Sequence, residues 1–392
     1  MEKNGKKFSA YAFTAVFLAA VVLPGFLSIR NLISAYISDT VINNEWIAEM
    51  GGKFETDIAS SFFGKSVFID MNGAVRNLLG QREMNGVVKL DNGWLLTEME
   101  ACPEEDLRRY AENTAAFDAY LKEKGIPLVF VPTPYTAGKY DPELPAGAED
   151  HGNENVDRFL ALLDAAGVET LDLRERMRED GRDHYSMMYK TDHHWTTEAG
   201  FYVYGVLEKL IREKTGCDVD ERISDIGQYD VTVYKQWHLG SRGQRTGRFF
   251  GGIDDFTLIL PGFETRIQAP DGKIGTMPEL IMNLNPLRDR DLTSRYTYDT
   301  VLGNGAYLGH YSDPESRNDV KILILGDSFA KAVNPYLIMG FRDVYCIYND
   351  ASYSVTPDLI GSYDPDIVIM LYYPEKLIPE SPAFSFESFL PQ

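Results

Sequence analysis

Two short motifs in this chain hold the residue types that turn a hydroxyl into a nucleophile, Asp192-His193-His194-Trp195 and Gly326-Asp327-Ser328-Phe329. A serine attacks poorly until an imidazole takes its proton. The imidazole does this best when a carboxylate fixes its tautomer and offsets the charge it acquires. Asp192, His194 and Ser328 supply that set as acid, base and nucleophile. In an extended segment Asp192 and His194 project to one face and His193 to the other. Ser328 follows the apolar run 320–325 and precedes a helix-like stretch at 329–339. It is therefore expected on a strand-to-helix turn at the carboxyl edge of a sheet, close to free backbone N–H groups.

Plainer readings of the same residues compete. Ser328 is also what an ordinary turn serine capping a helix looks like, and Asp192 with His194 is also a hydrogen-bond network at a helix start. A metal site would recruit His184, Asp192, His193 and His194. Adjacent histidines on opposite faces, with no His-x-x-x-His pair, argue against it, so neither metal nor cofactor is expected. His193 reads as structural, and Asp327 as a brace of its own turn through an Asx-type hydrogen bond. Trp195 and Lys139 are candidate sugar contacts; the alternatives are a core anchor for Trp195 and a solvated loop for Lys139. The pairs Asp254-Asp255 and Asp172 with Glu175 read as exposed charge, since nothing sets them across a pocket as glycosidase carboxylates.

The elements that must position these residues alternate. Short β-like runs at 66–69 and 86–90 lead to Asn92-Gly93-Trp94. An amphipathic helix is expected at 104–124 from Leu107, Tyr110, Ala111, Thr114, Phe117 and Leu121, ended by Gly125 and Pro127. A strand at 128–131, a helix at 155–166 and a strand at 169–173 follow. Thr196 is a helix N-cap with Glu198 in the first turn, and Gly216 stops that helix. The stretch 218–319 is Gly-rich and aromatic-rich, with a strand-like run at 256–260, and reads as a β-rich insertion. Apolar runs at 320–325, 344–348 and 366–373 resume the sheet. Helix and strand in alternation predict an α/β domain over residues 61–392, with a parallel sheet flanked by helices.

Lys3, Lys6 and Lys7 precede an uncharged apolar stretch at 8–29, long enough to span a bilayer and lacking a clear small-x-small cleavage site. Residues 1–30 are expected as an uncleaved anchor with a cytoplasmic tail, and residues 31–60 as a helical stalk that carries the domain outside the membrane. Secretion after signal cleavage is the alternative. The formal net charge of −21 removes phosphate-backbone attraction as a driving force, so nucleic acid is not an expected partner. Three scattered cysteines allow at most one bridge.

The tetrapeptide Asp192–Trp195, the Asn92-Gly93-Trp94-Leu95-Leu96 turn, Val131-Pro132-Thr133-Pro134 with Lys139, the Gly326-Asp327-Ser328-Phe329 turn and Tyr372-Tyr373-Pro374-Glu375-Lys376 together resemble the DHHW protein family. That family is similar to the SGNH-hydrolase-like proteins that O-acetylate alginate and other exopolysaccharides outside the bacterial membrane. The serine following the Asp-x-His pair matches the permuted order of that branch. The resemblance covers residues 62–377. It implies an SGNH-like fold and an acetyl group carried on Ser328, passed to a polysaccharide hydroxyl or to water. It also implies a membrane-embedded O-acyltransferase as acyl donor, and it adds Tyr373 as a candidate substrate contact. The superfamily's separate oxyanion Gly and Asn are not evident. The Ser328 N–H is one expected donor, and Asn349 is the candidate for another. A catalytically silent scaffold or glycan-binding component of an export complex is the alternative from a different class, and a lipid or small-ester hydrolase is a third.

Overall fold

The computed structural model describes residues 64–303, 309–347 and 355–390. The chain divides into two units, residues 1–75 and 76–392. Described residues of the first unit belong to the helix Lys65–Leu78, so the run at 66–69 is helical and not a strand. Three apolar residues, Val67, Phe68 and Ile69, are too few for periodicity to separate the two states. The apolar stretch 8–29, the stalk and Asn349 lie outside the described residues. Among the described residues, no helix is long and apolar enough to cross a membrane.

The strands are β1 (Glu83–Met84), β2 (Val87–Lys89), β3 (Leu95–Leu96), β4 (Leu128–Pro132), β5 (Glu169–Thr170), β6 (Tyr229–His238), β7 (Asp254–Pro261), β8 (Ile267–Gln268), β9 (Ile274–Gly275), β10 (Gly309–Ser312), β11 (Lys321–Gly326), β12 (Asp343–Ile347) and β13 (Ile367–Tyr372). The helices that matter here are α1 (Glu104–Glu123), α2 (Gly152–Ala165), α3 (Thr197–Thr215), α4 (Ser241–Thr246) and α5 (Asn334–Gly340).

An eight-stranded sheet runs β5-β4-β13-β11-β12-β10-β8-β9. Its first five strands are parallel, as expected. The last three are antiparallel, so the sheet is mixed and not wholly parallel. Part of the 218–319 stretch thus extends the main sheet through β8 and β9, while β6 and β7 form a separate antiparallel ribbon. β1, β2 and β3 make a third, small sheet.

Alternation along the central strand β11 divides the interior. Ile322 and Ile324 belong to one core with Trp195, Phe329 and Val203, Tyr204 and Leu207 of α3. Leu323 and Leu325 belong to the other, with Phe117 of α1, Phe159 of α2 and Phe384 of the carboxyl tail. A strand buried on both faces needs apolar residues at every position, which is why 322–325 shows no polar alternation. Full burial of each such side chain stabilises the fold by roughly 1.5–3 kcal/mol.

Helix α3 fixes the base. The Thr196 hydroxyl accepts from the Ala199 N–H at 3.1 Å, and Gly216 closes the helix at φ 69°. His194 therefore sits two residues ahead of a capped, packed helix.

Candidate active site

The nucleophile turn leaves β11 between β12 and β13. At Gly326 the backbone approaches closely, since a Cβ there would lie 2.8 Å from the Ala330 Cβ and 3.2 Å from the Leu371 carbonyl oxygen. Asp327 is buried and accepts the Phe329 N–H at 3.0 Å and the Tyr373 N–H at 2.7 Å. The first contact is the expected brace; the second ties the turn to the end of β13. Burial pushes the Asp327 pKa up, opposed by those backbone donors and Lys376. Among the described residues the Ser328 N–H has no acceptor, which leaves it available as a donor.

The acid–base segment is a bent loop. An antiparallel bridge joins Met188 to Trp195, and the Tyr189 N–H donates to the His194 carbonyl at 3.1 Å. The expected extended geometry is thus replaced. His193 and His194 lie side by side, with ring centroids 3.8 Å apart, and do not point to opposite faces. Contacts from β7 and α4 hold the loop. Asp254 accepts the Lys190 N–H at 2.9 Å, the Thr191 N–H at 2.8 Å and the Thr191 hydroxyl at 2.5 Å. Asp254 is therefore an anchor, whereas Asp255 is the exposed charge expected, paired with Lys235. Gly240 gives Asp192 its room, because a Cβ there would fall 2.4 Å from the Asp192 Cβ.

These two segments meet. His194 Nε2 lies 2.7 Å from Ser328 Oγ, and His194 Nδ1 lies 2.9 Å from Asp192 Oδ1. Asp192 is fully buried and surrounded by donors. Its Oδ1 also accepts the His194 N–H at 3.1 Å and lies 3.1 Å from His193 Nδ1. Its Oδ2 accepts the Ser241 N–H at 2.8 Å and the Tyr296 hydroxyl at 2.5 Å, with His238 Nε2 at 3.4 Å. Burial works against ionisation, but the His193, His194 and His238 imidazoles gathered around it hold the carboxyl well below the usual carboxylate range. Burial pushes His194 down to about 4, against the opposing pull of Asp192 and assisted by His193 and His238. The imidazole is thus neutral at pH 7, the state in which Nε2 can accept a proton.

Arg242 underpins the acid–base loop. Its buried guanidinium donates to the Leu95 carbonyl at 2.9 Å, Thr136 Oγ1 at 2.7 Å and the Asp192 carbonyl at 3.2 Å, and lies 3.5 Å from the Tyr373 hydroxyl. It joins β3, the loop after β4, the acid–base loop and the chain after β13.

The other sequence candidates fare differently. Trp195 is a correction: it is fully buried against Phe329, so no ring face is open to a sugar. Tyr373 is also buried, stacked on Phe329 at 4.3 Å with its hydroxyl 3.1 Å from Thr136 Oγ1, and supports the cleft from behind. Lys139 is committed to Asp157 at 2.9 Å and Glu175 at 3.0 Å. Asp172 caps the helix Leu173–Glu179 and pairs with Arg174. Asp192, His193 and His194 do have ligand-type atoms within 4.8 Å of one another. Those atoms face each other, Ser241, Tyr296 and Ser328 as hydrogen-bond partners, while the His184 Nε2 turns to the Thr136 carbonyl. Ser241, Arg242, Asp254, His238 and Tyr296 went unpredicted, because none belongs to a motif and each reaches the site only through the chain's return.

Residues 87–224 match the family model described as SGNH hydrolase-like domain, acetyltransferase AlgX. The match includes Asp192–Trp195 and stops short of Ser328. Bacillus cereus PatB1 superposes with a TM-score of 0.57 at 20% identity, over 76% of this chain and 99% of that one. The same protein with a sulfonyl adduct gives 0.57 at 19%, over 78% and 99%. A DHHW family protein from Eubacterium siraeum gives 0.56 at 18%, over 79% and 98%. The fold is SGNH-hydrolase-like. The resemblance read from the motifs therefore holds at the level of architecture. No curated protein matches the chain by sequence. Within an SGNH-like sheet the carboxyl edge is where ligands are received, and Ser328 stands on that edge.

Proposed function

We propose that the protein is a serine-dependent O-acetyltransferase or acetylesterase acting on a cell-surface polysaccharide outside the cytoplasmic membrane. One observation carries this reading: the unbroken line from Asp192 through His194 to Ser328, with contacts of 2.9 and 2.7 Å. Ser328 Oγ attacks the acetyl carbonyl carbon while His194 Nε2 takes its proton and Asp192 offsets the imidazolium charge. The Ser328 N–H donates to the tetrahedral oxyanion. Collapse breaks the bond to the donor oxygen, which leaves with the proton from His194, and acetyl remains on Ser328. A sugar hydroxyl or water then attacks, its proton passing to His194 and on to Ser328 Oγ. The membrane-embedded acyltransferase belongs to this proposal as the acyl donor, since an anchored chain raises the local concentration of each for the other.

The matching description as an SGNH hydrolase-like domain of an acetyltransferase supports the acyl-transfer class. PatB1 carries a sulfonyl adduct, and sulfonyl reagents test the same chemistry here. The full chain is incubated with an activated acetyl ester or a sulfonyl fluoride and its intact mass is read. One acetyl or sulfonyl group on Ser328, absent in Ser328→Ala, is expected. No adduct on the wild-type chain would defeat the enzyme reading and leave the silent scaffold.

A further inference from the structure

The segment Tyr296-Thr297-Tyr298 alternates so that its two aromatic residues are directed at the base. Thr297 points back, its hydroxyl donating to the Trp237 carbonyl at 2.7 Å at the end of β6. Tyr296 and Tyr298, two residues apart, both face His194. The Tyr298 ring stacks on the imidazole at 4.2 Å with 20° between planes. The Tyr296 hydroxyl lies 3.1 Å from His194 Nδ1 and 2.5 Å from Asp192 Oδ2. A hydroxyl has one hydrogen and two lone pairs. Its hydrogen goes to the buried carboxylate, which leaves a lone pair directed at the Nδ1–H. The Nδ1 proton therefore has two acceptors, Asp192 Oδ1 at 2.9 Å and Tyr296.

We propose that Tyr296 is a positioning residue of the base, a second anchor that shares the Nδ1 proton of His194 with Asp192 and holds Asp192 from its far oxygen. The inference rests on the reading of His194 as general base. Two acceptors on Nδ1 keep the proton there and Nε2 free for Ser328 in every orientation the ring can take. Donation to Asp192 also spreads the carboxylate's charge and so weakens its hold on an imidazolium. That charge-assisted contact outweighs the neutral one to Nδ1, so the net action of Tyr296 is to keep His194 basicity low. Other titratable groups face the pair: His193 and His238 beside Asp192, Tyr298 on the ring face, and Asp299 just beyond. His193 also touches both, through Asp192 Oδ1 and the face of the His194 ring, whereas Tyr296 bridges Asp192 Oδ2 and His194 Nδ1 through a single oxygen.

The test reads His194 directly. The full chain, histidine-labelled, is titrated by NMR in the Ser328→Ala background with and without Tyr296→Phe, a change that keeps the ring and removes one oxygen. The His194 midpoint is expected to rise by roughly half to one pH unit. With Ser328 restored, Tyr296→Phe is expected to slow acetylation of Ser328 about tenfold at unchanged KM. An unmoved midpoint, or a lower melting temperature with no change in midpoint or rate, overturns the inference. The titration needs no turnover. A shifted midpoint in a chain that never acylates would keep the anchor and discard the acyltransfer reading.

Discussion

The turn that carries the nucleophile and the loop that carries the base are built by opposite strategies. Ser328 is held by what is next to it: β11 behind, the bracing Asp327 beside it, and β13 one hydrogen bond away. His194 has a capped helix on one side only. The rest of its loop is held by Asp254, Ser241, Arg242 and Tyr296, all from the stretch after α3. A sheet edge can place one side chain through its own backbone, whereas a bent loop carrying a buried carboxylate needs donors from elsewhere. Distant support makes the base the more easily tuned half of the site and the more fragile one.

Substitutions can break that contrast in order of size. Ser328→Ala or His194→Ala is expected to lower acetyl transfer by roughly four orders of magnitude or more in single-turnover rates, and melting curves should show little loss of stability for the serine change and a clear loss for the buried histidine. Activity at the wild-type level in either variant would remove the shared mechanism. Arg242→Met takes away a buried hub and strands its acceptors, so urea unfolding should show a loss of about 2–4 kcal/mol alongside loss of acylation. Gly240→Ala forces a methyl into Asp192, for which about 1–3 kcal/mol and a fall in rate are expected, though nothing near Ser328 is altered. Normal acylation by this variant would show that the loop does not depend on α4.

The pH profile sharpens the comparison instead of breaking it. Burial depresses His194, so the base stays deprotonated as pH falls through the ordinary histidine range, and acetyl transfer should persist until its acid limb near about 4. Asp192 is held ionised below that limb and adds no inflection of its own. A limb at the ordinary histidine value would show that the imidazole is solvated. The smallest effect is expected from Lys139→Ala, whose partly exposed ion pairs contribute under about 1 kcal/mol and whose loss should leave the transfer rate unchanged.

Residues and spacing alone were enough for the local statements. The buried strands, the helix capped by Thr196 and stopped by Gly216, the brace at Asp327 and the three chemical residue types all follow from neighbours within a few positions, where propensity and periodicity act. The antiparallel strands at the sheet edge and the helical state of 66–69 did not follow. Each depends on which surface the segment meets. The same holds for the site. Asp192, His194 and Ser328 could be named from their motifs, but the bend that sets His193 against His194 was decided only by the fold. So were the donors that crowd Asp192 and the phenol beside Nδ1. A carboxylate taken out of water must be satisfied by whatever groups the chain brings back to it, and no local pattern specifies which groups those are.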